Sequence, residues 1–316
     1  MAHNRSKLYQ VLYLLGYAAA SRISRKARTP LVCGFKVTGK CNLRCLHCPF
    51  IKDRDKKTDR LDFQAACGIL EELYRKGVRI VIFEGGEPLL WKDPGTGKDI
   101  SDLIEAAKKR FFFTGITTNG TRPLRGVEPD IIFISLDGLK ETHDHIRGTS
   151  FESIISNIVK TGTRKKIIIN ICISRLNFME VPELVRFLKG KVYGITVQFF
   201  YPYPEVENLS LSMVQKKQVL DELIGLKRKG YAVLDSYDCL TRLKDNSWRC
   251  HDFLIASVEA DGKINYGCYL KNRVEEISCR DCGFAAHCEV SMAYDLRPGA
   301  IRAALDIFWG GYKGTF

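Results

Sequence analysis

Six short apolar runs alternate with amphipathic stretches between residues 31 and 229, and no other feature constrains the fold as tightly. The runs occupy 31–38, 79–83, 114–118, 130–135, 166–173 and 194–200. Helical spacing fills the intervals, as at 63–76, 100–109, 151–160, 181–188 and 213–229. A run such as Ile131-Ile132-Phe133-Ile134 is too short for a helix and apolar on both faces, which suits a strand covered on both sides. Strand and helix in strict alternation predict an α/β chain with a parallel sheet. Function in such folds gathers beyond the C-terminal strand ends. Here the strands run into a cysteine loop, then Glu84-Gly85-Gly86-Glu87-Pro88, then Asn119-Gly120, then Ser135-Leu136-Asp137-Gly138.

The chain has 316 residues, enough for one large domain or a large and a small one. With 45% hydrophobic and 27% charged residues it is globular material. No apolar run reaches the ~20 residues of a membrane span, which excludes a multi-span transporter. Twelve cysteines are too dilute for a disulfide scaffold, so their spacing must decide their role. Pro94-Gly95-Thr96-Gly97-Lys98 hints at a phosphate loop, but Asp99 replaces the Ser/Thr and the first glycine is missing.

Cys41, Cys45 and Cys48 form C-x3-C-x2-C in the loop after the first strand. Three thiolates from one loop can converge on one object and leave a metal corner open. A structural zinc site wants four ligands and a 4Fe–4S cluster normally takes four cysteines. Zinc with a distant fourth ligand is the competing reading, with His47 inside the motif. The GGEP segment after the second strand follows in order. Together the two motifs resemble the radical S-adenosylmethionine (radical SAM) enzymes. The resemblance implies an open, partial (β/α)6 TIM-type barrel over 31–230. It implies a 4Fe–4S cluster on Cys41, Cys45 and Cys48 and S-adenosylmethionine chelated at its open iron. Gly85, Gly86, Glu87 and Pro88 would meet the cofactor's methionine amine, with glycine allowing close backbone approach. Ser135 and Asp137 would contact the ribose, Arg147 the carboxylate, and Asn177 is a further candidate. A turn or cap role competes for each of these. Tyr201 and Tyr203, after the sixth strand, read as rim packing ahead of substrate contact.

After Tyr231 the character changes: Cys239, Cys250, Cys268, Cys279, Cys282 and Cys288 crowd into 50 positions. Asp261-Gly262 signals a hairpin between apolar strands. This small Cys-rich part, 231–316, resembles the SPASM or twitch extension of the family, which implies auxiliary iron–sulfur ligation by Cys250, Cys268, Cys279, Cys282 and Cys288. No cysteine follows Cys288, so one auxiliary 4Fe–4S cluster is expected rather than two. Five candidates exceed four ligands by one, Cys239 also competes, and a zinc ribbon is the alternative. Cys33, Cys67 and Cys172 read as buried small hydrophobes. The end, Arg297 to Phe316, reads equally as a cover over the site or a flexible tail.

Net charge is 49 − 36 = +13, and ten basic residues precede the first acidic one, Asp53. Residues 1–30 contain an apolar stretch from Leu8 to Ala20 with basic flanks. Leu8, Val11, Leu12 and Leu15 share one stripe, and Tyr9, Tyr13 and Tyr17 a neighbouring one. A helix packed on the main domain, an amphipathic helix on an anionic membrane surface, and a secretory signal ending at Ala18-Ala19-Ala20 all compete. An oxygen-sensitive cluster argues against export and for a cytoplasmic enzyme, peripheral at the membrane if the surface helix holds. The basic face also suits an acidic flavodoxin or ferredoxin-type electron donor. The expected function is generation of a 5′-deoxyadenosyl radical that abstracts hydrogen from a substrate, with a membrane lipid narrowly ahead of a peptide or a small molecule undergoing dehydrogenation. A zinc protein binding nucleic acid explains the charge and thiols but neither GGEP nor the alternation, so no nucleic-acid partner is expected.

Overall fold

The computed structural model describes residues 6–50, 61–204 and 206–311. In chain order the elements are α1 (Lys7–Ile23), β1 (Val32–Thr38), α2 (Phe63–Lys76), β2 (Ile80–Gly85), α3 (Ile100–Lys108), β3 (Phe113–Thr118), β4 (Ile131–Ser135), α4 (Lys140–Arg147), α5 (Phe151–Thr161), β5 (Ile167–Ile173), α6 (Val181–Phe187) and β6 (Gly194–Phe199). Then follow α7 (Met213–Arg228), α8 (Tyr237–Arg242), β7 (Ile255–Val258), β8 (Ile264–Tyr266), α9 (Ala285–Tyr294) and α10 (Pro298–Phe308). All six expected strands appear, each within two residues of its predicted bounds.

The strands lie in the order β6-β5-β4-β3-β2-β1-β7-β8, parallel except for the last pair. This is the partial barrel, with one addition the periodicity does not disclose. The hairpin around Asp261-Gly262 does not stand apart: β7 pairs in parallel with β1, Val32 opposite Ile255. At the far edge, Phe199 N–H donates to the Gly283 carbonyl at 2.9 Å. The Cys-rich extension therefore grips both edges of the open sheet. Tyr201 confirms the packing reading, stacking on Phe284 while its hydroxyl accepts from the Ser278 N–H at 3.0 Å.

Strand alternation sorts the side chains. Cys33, Phe35, Val37, Val81, Phe83 and Ile116 are fully buried in the core that includes Leu70, Leu73, Leu103 and Ile104 of α2 and α3. The opposite face lines the barrel interior. Its lower end is plugged by Val32, Ile80, Ile82 and Phe113 with Phe112, Tyr13, Phe308 and Trp309. Trp309 meets Phe113 edge-on at 4.7 Å and Tyr13 meets Phe112 edge-on at 5.2 Å. The expected tail is thus mostly helix α10, and it closes the N-terminal mouth of the barrel, away from the strand ends that carry the motifs. Residues 312–316, and Arg5 and Lys52 of the basic run, fall outside the described residues.

Helix α1 packs on that same lower mouth by its tyrosine stripe. Tyr13 lies under the Arg79 guanidinium at 4.5 Å, and the Tyr17 hydroxyl donates to the Thr29 carbonyl. The leucine stripe faces away: Leu8, Val11, Leu12 and Leu15 are exposed. Phe113→Ala should therefore cost about 3–5 kcal/mol in urea unfolding by hollowing the plug, whereas Leu12→Ser should change stability by less than about 0.5 kcal/mol.

Candidate cofactor and cluster site

The C-terminal ends of β1 to β5 converge on one side of the barrel, and local bonding explains how the loops are held. A bulge at Val37 shifts β1 against β2, so Lys36 opposes Glu84 and Thr38 opposes Gly85. Beyond it the GGEP turn is stitched to the cysteine loop: Gly86 N–H donates to Thr38 O at 2.8 Å and Glu87 N–H to Lys40 O at 2.7 Å. A Cβ on Gly86 would stand 2.2 Å from Lys40 O, and one on Gly85, at φ +151°, would stand 2.4 Å from Thr38 O. The glycines are required by this backbone-to-backbone approach, not only by a ligand. Pro88 then starts a short 3-10 turn, Pro88–Leu90.

Glu87 corrects the expectation of a free acceptor. It is fully buried, and its carboxylate accepts from Thr118 Oγ1 and Asn119 N–H, each at 2.7 Å, and from Leu89 N–H at 3.0 Å. It clamps the end of β3 to the end of β2. Burial pushes its carboxyl up while these donors pull it down.

The cluster loop is anchored from the other side by Leu46 N–H donating to Ile146 O at 2.8 Å. Cys41 Sγ accepts from Leu43 N–H at 3.5 Å and from Asn119 Nδ2 at 3.9 Å. Cys45 Sγ faces Arg147 Nη1 at 4.0 Å. Burial raises the Cys45 thiol and Arg147 lowers it, so the guanidinium favours the thiolate that a metal needs. Asn119 is a residue the motif reading missed, although its place just past a strand end was the available signal.

Asp137 and Asn177 are likewise committed to bonds within the protein. Asp137 is completely buried, with Oδ2 accepting from Arg147 Nε and Oδ1 from Cys172 N–H at 2.9 Å. Burial works against its charge, but Arg147 and His47 hold the carboxyl below the usual carboxylate range. Asp137 thus positions Arg147 rather than presenting a free oxygen to a ribose. Asn177 is a staple: Nδ2 donates to Asp137 O at 2.7 Å and Cys172 O at 2.9 Å, and Oδ1 accepts from Ser174 N–H at 2.7 Å. Ser135 ends β4 half-buried, beside Asn170, with its hydroxyl toward the barrel interior.

The second cysteine group divides. Cys250, Cys268, Cys279 and Cys282 lie within electrostatic reach of one another. Burial raises Cys250, to about 12, and the charges of Cys268, Cys282 and Cys279 add to it. Cys268 and Cys282 are raised by burial and by Cys279 in the same way. Cys288, expected among the ligands, is instead fully buried on α9, with Sγ 3.4 Å from Met292 Sδ and hydrogen-bonded to Cys239. Those two thiols belong to the α8–α9 core. Among the described residues, no three sulfurs of either group lie mutually within 4.8 Å.

Comparison with known proteins follows this geometry. Residues 35–188 match the model of the radical SAM superfamily. Fe-coproporphyrin III synthase of Methanosarcina barkeri is 25% identical over 225 residues, 65% of this chain and 53% of that protein. A probable GTP 3′,8-cyclase of Methanosarcina mazei is 27% identical over 256 residues, 72% of this chain and 74% of that protein. The chain spans about half the length of the first of these relatives. Among solved structures, Streptococcus suis SuiB bound to S-adenosylmethionine superposes with TM-score 0.64 at 16% identity, over 79% of this chain and 63% of SuiB. The enzyme anSMEcpe with bound AdoMet and a peptide gives 0.57 at 17% identity, over 84% and 82% of the two chains. These likenesses establish the fold.

Two measurements check the local account. Gly86→Ala should cost about 1–3 kcal/mol by overpacking, whereas Gly68→Ala, with open space around its Cβ, should stabilise α2 by about 0.5–1 kcal/mol. His143 accepts from Asp137 N–H at Nδ1 (3.2 Å) and faces Ser150 Oγ at Nε2 (3.0 Å), and burial with nearby Arg147 lowers its pKa to about 4. A folded pKa below the unfolded value of about 6.5 means the unfolded chain takes the proton first. His143 therefore contributes stability at pH 7 that is lost as pH falls from about 6.5 towards 4. Urea unfolding over that range should show a shallower slope in His143→Gln, and an unchanged slope would contradict the assignment.

Proposed function

From the match of residues 35–188 to the radical SAM superfamily model, we propose that the chain is a radical SAM enzyme acting on a polar substrate held in the upper barrel. The observation that carries this reading is the joint anchoring of the cysteine loop by the GGEP turn, Asn119 and Arg147 at the strand ends. Cys41, Cys45 and Cys48 would hold a 4Fe–4S cluster with one iron open, and the donor set of three thiols with attendant N–H groups fits it. Bound and reduced, such a cluster would supply the one electron needed to cleave the cofactor's 5′-carbon–sulfur bond to methionine and a 5′-deoxyadenosyl radical, which would take a hydrogen atom from the substrate. The chain's own work is placement and exclusion. Arg147, fixed by Asp137, offers its remaining N–H groups to the cofactor's carboxylate. The carbonyls of the GGEP turn accept from its amine, and Ser135 offers a hydroxyl to its ribose. No side chain needs to act as a general base for the abstraction.

The four thiols of Cys250, Cys268, Cys279 and Cys282 match a fully ligated auxiliary 4Fe–4S cluster, with Cys288 outside it. A cluster without an open iron serves electron transfer rather than substrate ligation. An acidic flavodoxin or ferredoxin-type protein suits the basic chain as the external donor.

A membrane lipid loses its place as substrate. The upper barrel presents Lys36, Glu84, Thr117, Ser135, Asn170 and Thr196 in neighbouring registers, a polar lining that does not suit a hydrocarbon chain. SuiB has been solved bound to its precursor peptide SuiA, and anSMEcpe with peptides, which supports a peptide. The names of the tetrapyrrole synthases among the relatives support a polar small molecule as the second reading. Contact with a membrane surface is a separate matter, supported by the exposed Leu8, Leu12 and Leu15 beside Lys7, Arg22, Arg25 and Lys26. Full-length protein should sediment with anionic vesicles, and Leu8→Ser with Leu12→Ser should release it. Failure of the unaltered protein to sediment would remove that contact.

Anaerobically reconstituted protein should form 5′-deoxyadenosine on reduction, and replacing Cys41, Cys45 and Cys48 by Ala should abolish it. Unchanged formation would overturn the reading. Cys282→Ser should lower the iron content by about four atoms, whereas Cys288→Ser should leave it intact.

A further inference from the structure

The upper barrel holds a charged group that the cofactor site does not use. Lys36 of β1 and Glu84 of β2 are register partners on the interior face. Arg273 reaches them from the Cys-rich extension, and Glu259, in the β7–β8 turn, binds both cations: Lys36 Nζ donates to Oε2 at 3.0 Å and Arg273 Nη2 to Oε1. The Lys36 ammonium lies 3.6 Å from the Phe50 ring centre, and the Arg273 guanidinium lies 3.5 Å over Tyr269. The side chains of Lys36 and Arg273 are each only 8% exposed.

The group is incomplete. Arg273 Nη1 and Glu84 Oε1 are buried with no hydrogen-bond partner. Buried donors and acceptors are ordinarily paired. A guanidinium with one arm fixed and the other unpaired is set to bind a second acceptor. Charge points the same way. Glu259 answers one of the two cations. Burial pushes the Glu84 carboxyl up, against the pull of Lys36 and Arg273, so the other positive charge is left unbalanced whenever Glu84 holds its proton. In that state Glu84 is itself a donor.

We propose that Arg273, Lys36 and Glu84 form a substrate subsite in the upper barrel that takes a carboxylate, with Arg273 Nη1 donating to it. The unpartnered Arg273 Nη1, beside a Glu84 carboxyl that donates when it holds its proton, matches the two oxygens of a planar carboxylate. A phosphate dianion would bring a second negative charge against Glu259. Phe50 and Tyr269 flank the cations with flat faces and exclude water from the bond. The inference rests on the upper barrel being the substrate chamber, and it assigns the extension a direct part in substrate choice through Arg273.

The test is titration of full-length reconstituted protein with benzoate and with its uncharged isostere benzamide, followed by calorimetry and by the Arg Nη–H resonances of labelled protein. Benzoate should bind at least tenfold tighter than benzamide and shift one buried guanidinium resonance. Arg273→Gln should abolish that preference. Arg273→Lys, which keeps the charge facing Glu259 but lacks the second arm, should reduce it severalfold while remaining folded by circular dichroism. Equal binding of the two probes, no binding of either, or a preference that survives in both variants would overturn the subsite and leave Arg273 as a tie between barrel and extension. Cofactor cleavage is read separately on the same unaltered protein, so a failure there falls on the cluster assignment and not on this subsite.

Discussion

The backbone contact between the turn after β2 and the loop after β1 is what the rest of the site depends on. Two hydrogen bonds, from Gly86 N–H and Glu87 N–H to Thr38 and Lys40 carbonyls, bring the chains so close that no side chain fits between them. Glu87 extends the tie to β3, and Asn119 carries it on to the sulfur of Cys41. The cysteine loop, the turn after β2 and the end of β3 are thereby held to one another. The cost of a buried carboxylate at Glu87 is offset by its three hydrogen bonds.

A second network fixes the opposite wall. Asp137, Arg147, Asn177 and His143 bind one another and the ends of β4 and β5. Within this network Arg147 is the member that reaches the cysteine loop, its Nη1 facing Cys45 Sγ. Asp137, Asn177 and His143 are therefore committed to the protein's own bonds, and the proposed cofactor contacts are those of backbone carbonyls, Ser135 and the free arms of Arg147.

The strands were legible because a β-branched apolar run of five to eight residues has few other uses, and each was followed by a turn signal. The cysteine loop and GGEP were legible because their chemistry lies in local spacing. The use of Glu87, Asp137 and Asn177 was not, since each is tied to at least one partner 31 to 40 residues away, Glu87 to Thr118, Asp137 to Cys172 and Asn177 to the Asp137 carbonyl, which only the closed fold brings together. Cys288 shows the same limit. Its spacing from Cys282 looks like a ligand's, but the packing of α8 on α9 turns it into the core beside Cys239 and Met292. Helix α10 had a usable signal in Pro298 at its first turn and in Ala300 and Ala303 on one buried face. The pairing of β7 with β1 had none.

The open iron is the central claim, and electron–nuclear double resonance on the reduced, reconstituted protein tests it most directly. With S-adenosylmethionine labelled by nitrogen-15 in its amine and oxygen-17 in its carboxylate, the account predicts hyperfine coupling of both nuclei to the cluster. A cluster signal that forms with all three cysteines present but shows no coupling to either label would contradict it.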